Sequence, residues 1–256
     1  MSAERSGGLR AQIANEAARL MYEEDVKQYF TAKRMAAKRL LGRVGGKRLR
    51  YRPRDLPSNG EIRDALLMLA ELAEGDRRTR RLFAMRIVAL EAMRALVPFT
   101  SRLIGSVSTG HIRRGSDIDL SVFTNDEDAL EVHLRKLGWT FETERVTILK
   151  FGQLREYLHM HVVDVFPIEL TVYDLRELRF RPRSSTDGKP IQRIRIAALE
   201  ALLMEEHPEE WAEYLSDGTI AHLDEVMAEA DDDDAPAPGP FDGLLGTNDC
   251  DNWDDG

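Results

Sequence analysis

Cysteine is almost missing from this chain of 256 residues: its one thiol, Cys250, lies near the C-terminus. That excludes an internal disulfide framework and a thiolate zinc cluster. No apolar run approaches the ~20 residues that a membrane-spanning helix needs. The opening MSAERSGGLRAQ is charged and lacks the apolar core of a signal peptide. The expectation from these two absences is a cytoplasmic protein with no membrane partner. Aromatic residues are sparse at 7%, and the basic clusters lack the aromatic interleaving typical of single-strand stacking platforms. No internal repeat is apparent. Hydrophobic residues reach 43%, enough for a sizeable core, and the length suits one domain with embellishments or two small ones.

The net charge of -9 is unevenly placed. Residues 231–256 hold nine aspartates and neither Lys nor Arg, so the rest of the chain carries 36 charges of each sign. Residues 1–55 hold 14 Lys or Arg against six Asp or Glu, a local excess of +8. A basic beginning and an acidic end therefore bracket a near-neutral middle. The sequence divides accordingly into a basic helical extension (1–56), a core (57–182), a C-terminal helical segment (183–230) and an acidic tail (231–256). The tail lacks apolar periodicity and reads as solvating, although Phe241, Leu244, Leu245 and Trp253 leave a short docking motif open.

Apolar spacing predicts one long helix over 9–41, ended by Gly42, Gly45 and Gly46. Ser58 with Glu61 makes a capping box for a helix to about 74, and Asp76 opens another to about 97. After Pro98 the period changes. Short strands are expected at 102–105 and 118–123, then a helix begun by Asn125 or Asp126 and ending near Leu137. Strands at 140–150, 158–163 and 167–173 follow, the last two as a hairpin, then helices over 192–205 and 208–230. The fold class is α/β (α+β): a small mixed sheet with helical additions at both ends.

The chemistry is concentrated in GSVSTGHIRRGSDIDL, residues 105–120. Residues two apart on a strand share a face, so Asp117 and Asp119 are expected side by side. Two like charges that close need compensation, which a divalent cation supplies. Mg²⁺ takes hard oxygen ligands, typically one or two carboxylates together with substrate phosphates. Gly105-Ser106, between a strand and a helix start, would offer backbone N–H groups and a hydroxyl to a triphosphate. Gly110 and Gly115 let the loop return. The plainer reading is a glycine-rich turn leading into an acidic edge strand.

Gly105-Ser106, Gly110, Arg113 and Ser116-Asp117-Ile118-Asp119-Leu120 resemble the signature of the polymerase-β-like nucleotidyltransferase superfamily. The direct match spans sixteen residues, within an inferred core of about 75–180. The resemblance implies Mg²⁺ (or Mn²⁺), an NTP substrate, two-metal in-line displacement and a third acidic residue on a later strand. Asp164, Glu169 and Asp174 are the candidates. Glu169 is favoured because it sits inside Ile168-Glu169-Leu170-Thr171-Val172, of strong β propensity, whereas Asp164 falls at a turn and Asp174 at a strand end. Many such enzymes have aspartate there, so a glutamate with one more methylene is a mild departure. On this reading Asp117, Asp119 and Glu169 are catalytic and metal-binding. Gly105, Ser106, Gly110, Arg113 and Ser116 lie on the nucleotide side, with Ser106 on the β- and γ-phosphates and Arg113 offsetting charge.

The expected function is transfer of a nucleoside monophosphate, with ATP the first donor to consider, to an acceptor hydroxyl on RNA or tRNA, protein or a small molecule. The alternative is a nucleotide-binding regulatory or antitoxin-like module with little turnover. The clusters Lys47–Arg54 and Arg77–Arg81 fit either nucleic-acid phosphates or solvated surface. His159 and His161 alternate on a strand, but no cysteine or third histidine is near, which favours ordinary strand histidines over a transition-metal site. A homo-oligomer through the N-terminal helix stays open.

Overall fold

The computed structural model describes residues 2–24, 26–41, 56–113, 115–150, 153–184 and 188–220. The cluster Lys47–Arg54, the second half of the helix expected over 208–230, and the acidic tail with Cys250 lie outside the described residues. Two compact units emerge, Met1–Arg78 with Pro182–Ile191, and Thr79–Arg181 with Gln192–Gly256.

The first unit is helical: α1 (Ser2–Glu23), α2 (Tyr29–Leu41) and α3 (Asn59–Glu74). The single helix expected over 9–41 is in fact two. Glu23 and Glu24 place negative charges at the C-terminal end of α1, where the dipole opposes them. Ending α1 there also lets Ala14, Ala17 and Ala18 bury against the same core as Ala32, Ala36 and Ala37 of α2, with Ile13, Leu20 and Ile62. A straight helix would leave that stripe in water. Arg39 of α2 then reaches Glu24 at 2.8 Å and Glu16 at 3.3 Å on α1. The capping box forms as expected: the Glu61 amide donates to Ser58 Oγ, and the Ser58 amide donates to Glu61 Oε2 at 2.7 Å. Because α3 packs on α1, with Tyr22 donating to Glu74 and Arg10 to Glu61, this unit runs to Arg78 and not to residue 56.

The second unit is built on a five-stranded sheet in the order β1-β2-β5-β4-β3. Its elements are α4 (Asp76–Ala95, which begins in the first unit), β1 (Thr100–Ile104), α5 (Gly105–Thr109), β2 (Ile118–Phe123), α6 (Glu127–Lys136), β3 (Phe141–Lys150), β4 (Gln153–Val162), β5 (Ile168–Tyr173), a 3-10 turn (Leu175–Arg179), α7 (Ile196–Glu206) and α8 (Pro208–Asp217). Only β2 and β5 run parallel; the other neighbours are antiparallel. This is the mixed sheet and α+β class that the sequence predicts. The buried faces of β2 and β5 (Ile118, Leu120, Val122, Ile168, Leu170) share one core with Phe83, Ile87 and Leu90 of α4.

Strand β1 begins two residues earlier than expected and ends at Ile104, with Gly105 opening α5, and three other boundaries differ further. Strand β4 begins at Gln153, because its polar first half pairs residue for residue with β3, from Phe141↔Val162 to Lys150↔Gln153. Helix α7 starts at Ile196, since Ile194 first exchanges two backbone hydrogen bonds with Leu103 beside the sheet. Helix α8 stops at Asp217, where Gly218 takes a left-handed conformation (φ 71°) and donates to the Tyr214 carbonyl. Leu199, Leu203, Trp211 and Tyr214 join the core of the sheet. No helix among the described residues is long and apolar enough to cross a membrane.

Arg10, together with the Ser58 amide, holds the Glu61 carboxyl down to about 2 from its ordinary 4.5. A depressed folded-state value stabilises above the ordinary value, and that stabilisation is lost as pH falls through the folded one. Chemical denaturation of Glu61→Gln should therefore show a shallower loss of stability between about pH 4.5 and pH 2 than the wild type. Ser58→Ala should cost about 1 kcal/mol at neutral pH through loss of the cap.

Candidate functional site

Strand β2 brings the site together because both its neighbours carry site residues. Ile104 of β1 lies opposite Asp119, and Glu169 of β5 lies opposite it on the other side. In a parallel pair, residues in register present side chains to the same face, so the Asp119 and Glu169 carboxylates are neighbours although fifty positions separate them. Asp117 sits just ahead of the first ladder residue and is exposed, not on the strand as its spacing suggests. It remains close enough to act on Asp119. The Asp119 carboxyl is pushed up to about 7 from 3.8, first by burial and then by the negative charges of Glu169 and Asp117.

The other two candidates for the third carboxylate are otherwise engaged. Asp164 is buried in the turn before β5 and accepts the Val165 amide at 2.6 Å. Asp174 caps the 3-10 turn, accepting the Arg176 amide at 2.7 Å.

Gly105 links β1 to α5 with φ 72°, a left-handed conformation that disfavours any side chain. A Cβ there would also overlap the Asp119 carboxylate. The absence of a side chain thus leaves Asp119 room beside the backbone. In α5 the Ser108 and Thr109 hydroxyls turn back onto the Gly105 carbonyl, whereas Ser106 Oγ has no hydrogen-bond partner among the described residues. Gly110 ends α5 in a left-handed conformation and donates to the Ser106 carbonyl. Ser116 is buried and its hydroxyl accepts the Arg113 amide at 2.9 Å, while its own amide donates to the Arg113 carbonyl. Its hydroxyl therefore closes the loop, and Arg113 is half-buried in the same turn.

Two residues beyond the motif shape this site. Arg86 of α4 is wholly buried; its Nε donates to the Val107 carbonyl in α5 and its Nη1 to Glu206 Oε2 at 2.6 Å. It fixes α5 from the core side. The signal was a lone arginine inside the apolar run FAMRIVAL. His159 of β4 places Nδ1 2.5 Å from Glu169 Oε1. The alternating His159 and His161 were visible in the sequence, but their strand partner was not.

Among the described residues, no group of three or more His, Cys, Asp or Glu side chains is placed to hold a metal ion by itself. A Mg²⁺ ion does not require one, since it binds through one or two carboxylates and completes its shell with water and phosphate. The residues present fit such an ion: the donors are hard oxygens, burial and negative neighbours act on Asp119 among the described residues, and Gly105 keeps its carboxylate clear.

No family model and no curated protein sequence matches this chain. A solved structure of the GLD-2/RNP-8 complex is similar at 20% identity, over 41% of this chain and 43% of that one, with a TM-score of 0.24. The chain thus spans under half of that structure's length, and a likeness this slight has no bearing on function.

The raised Asp119 value sets a pH dependence. A carboxyl whose folded-state value exceeds its unfolded one makes the native state bind more protons, so stability falls as pH rises between the two. In metal-free buffer, denaturation midpoints should decline from about pH 4 to about pH 7 through this group. Asp119→Asn should remove that component and be more stable than the wild type at pH 8.

Proposed function

We propose that this protein is a Mg²⁺-dependent nucleotidyltransferase, moving a nucleoside monophosphate from an NTP to an acceptor hydroxyl. The observation that carries this reading is the register of Asp119 with Glu169 across β2 and β5, with Asp117 adjacent. A crowded carboxylate pair kept clear by a glycine is unfavourable in itself, and a site for phosphate-bound cations accounts for it. The match of Gly105-Ser106 through Leu120 to the nucleotidyltransferase signature adds to it.

In the reaction, the acceptor oxygen bonds to the α-phosphorus while the bond from that phosphorus to the bridging oxygen of the β-phosphate breaks. Pyrophosphate leaves with that electron pair, and the hydroxyl proton passes to solvent or a nearby base. Asp117, Asp119 and Glu169 would hold the divalent ions, which would supply charge neutralisation for the triphosphate during the displacement. Ser106 Oγ and the adjoining backbone orient the phosphates, and the turn closed by Ser116 carries Arg113 beside them. What remains for the chain is positioning and charge placement, which dominate phosphoryl chemistry. RNA or tRNA, protein and small molecules are all possible acceptors, with ATP the first donor to test.

The test incubates the full chain with each labelled NTP, Mg²⁺ or Mn²⁺, and pools of RNA, protein and small molecules. Label should move to one pool, and Asp117→Ala or Asp119→Ala should reduce transfer by about 10²-fold or more. Gly105→Ala should do likewise, because its Cβ displaces the Asp119 carboxylate. Nucleotide binding without transfer in any pool would instead establish the regulatory or antitoxin-like module.

A further inference from the structure

Glu169 differs from an aspartate by one methylene, and hence by one more rotatable bond between backbone and carboxylate. Unless something fixes it, that carboxylate samples several rotamers, and ordering them opposes binding. The antiparallel pairing of β4 with β5 supplies the means. His161 lies opposite Glu169 and His159 opposite Thr171, so His159 is the diagonal neighbour of Glu169 on one face. Its Nδ1 is 2.5 Å from Glu169 Oε1. An ionised carboxylate only accepts, so Nδ1 carries the proton and donates. Thr171 Oγ1 reaches the same oxygen at 3.5 Å. Glu169 Oε2 is left with no protein donor among the described residues. On the far side of the ring, His159 Nε2 is buried and also without a partner. The imidazole thus makes its one polar contact to a single oxygen of Glu169.

We propose that His159 is a positioning residue for Glu169: it ties down one carboxylate oxygen and leaves the other for a divalent cation shared with Asp119. This rests on the nucleotidyl-transfer reading of the acidic site. A half-buried imidazole that served only to pack the strand would have no reason to end on that one oxygen. Hydrogen bonds of this kind to a metal ligand typically change metal affinity by about 10- to 100-fold.

The experiment measures binding of Mn²⁺ alone to the full chain, by electron paramagnetic resonance of the free ion, with thermal melts run alongside. His159→Leu should weaken Mn²⁺ binding about tenfold or more. His159→Asn, whose amide N–H stands near the position of Nδ1, should recover most of that loss. In a Glu169→Gln background His159→Leu should have no further effect, because the carboxylate it acts through is gone. Equal weakening by the Leu and Asn variants would make His159 merely structural and overturn the proposal. Wild-type affinity in His159→Leu, with binding lost in Asp119→Asn, would overturn it while leaving the acidic site intact. Undiminished binding in Asp119→Asn would remove the site reading itself, and this proposal with it.

Discussion

The parallel register of β2 against β5 forces two carboxylates into adjacency, and the neighbouring elements of the sheet unit are arranged around that fact. Asp119 opposite Glu169 costs free energy in an unliganded protein, since neither burial nor like charge favours ionisation. The neighbouring elements preserve the arrangement. Gly105 contributes no side chain where one would push Asp119 aside, and Arg86 grips α5 from the core, holding the Gly105–Thr109 turn against β2. Arg86 is itself kept in the interior by Glu206 at the end of α7, so the C-terminal helices bear indirectly on the motif loop.

Much of this was legible in the chain because the informative residues are local. A glycine-serine pair followed by Asp-x-Asp can be read from sixteen consecutive positions, and Glu169 follows from β-branched neighbours that demand a strand. The capping box at Ser58 and the cap at Asp126 are likewise short-range, and both form. What could not be read depends on partners distant in sequence. The polar half of β4 is a strand only because β3 pairs with it, and Asp117 lies outside the ladder because pairing starts at Ile118. The break between α1 and α2 follows from burying alanines against alanines, and periodicity continues unchanged through it. His159 looked ordinary because its contact with Glu169 depends on a diagonal pairing with β5, and a one-residue slip of register would remove it.

The direction of a carboxylate's shift separates two uses of charge within this one chain. Glu61 is engaged by Arg10 and the Ser58 amide, and its carboxyl is held down to about 2. That is the signature of a structural ion pair, in which folding and ionisation favour each other. Asp119 moves the opposite way, to about 7, so the negative charges and low polarity around it outweigh every positive group nearby. A fold selected for stability alone would place an arginine there, as it does at Glu61, or replace the acid with an apolar residue. The nearby buried cation, Arg86, is instead committed to Glu206 and to the Val107 carbonyl. Burial and negative neighbours set the Asp119 value among the described residues, and on the proposed function the compensating charge would come from a bound divalent ion. A cation that arrives with its own phosphate ligands meets that need without burying a permanent ion pair. On the proposed function, the same two strands would be a liability in the empty protein and an asset with nucleotide bound.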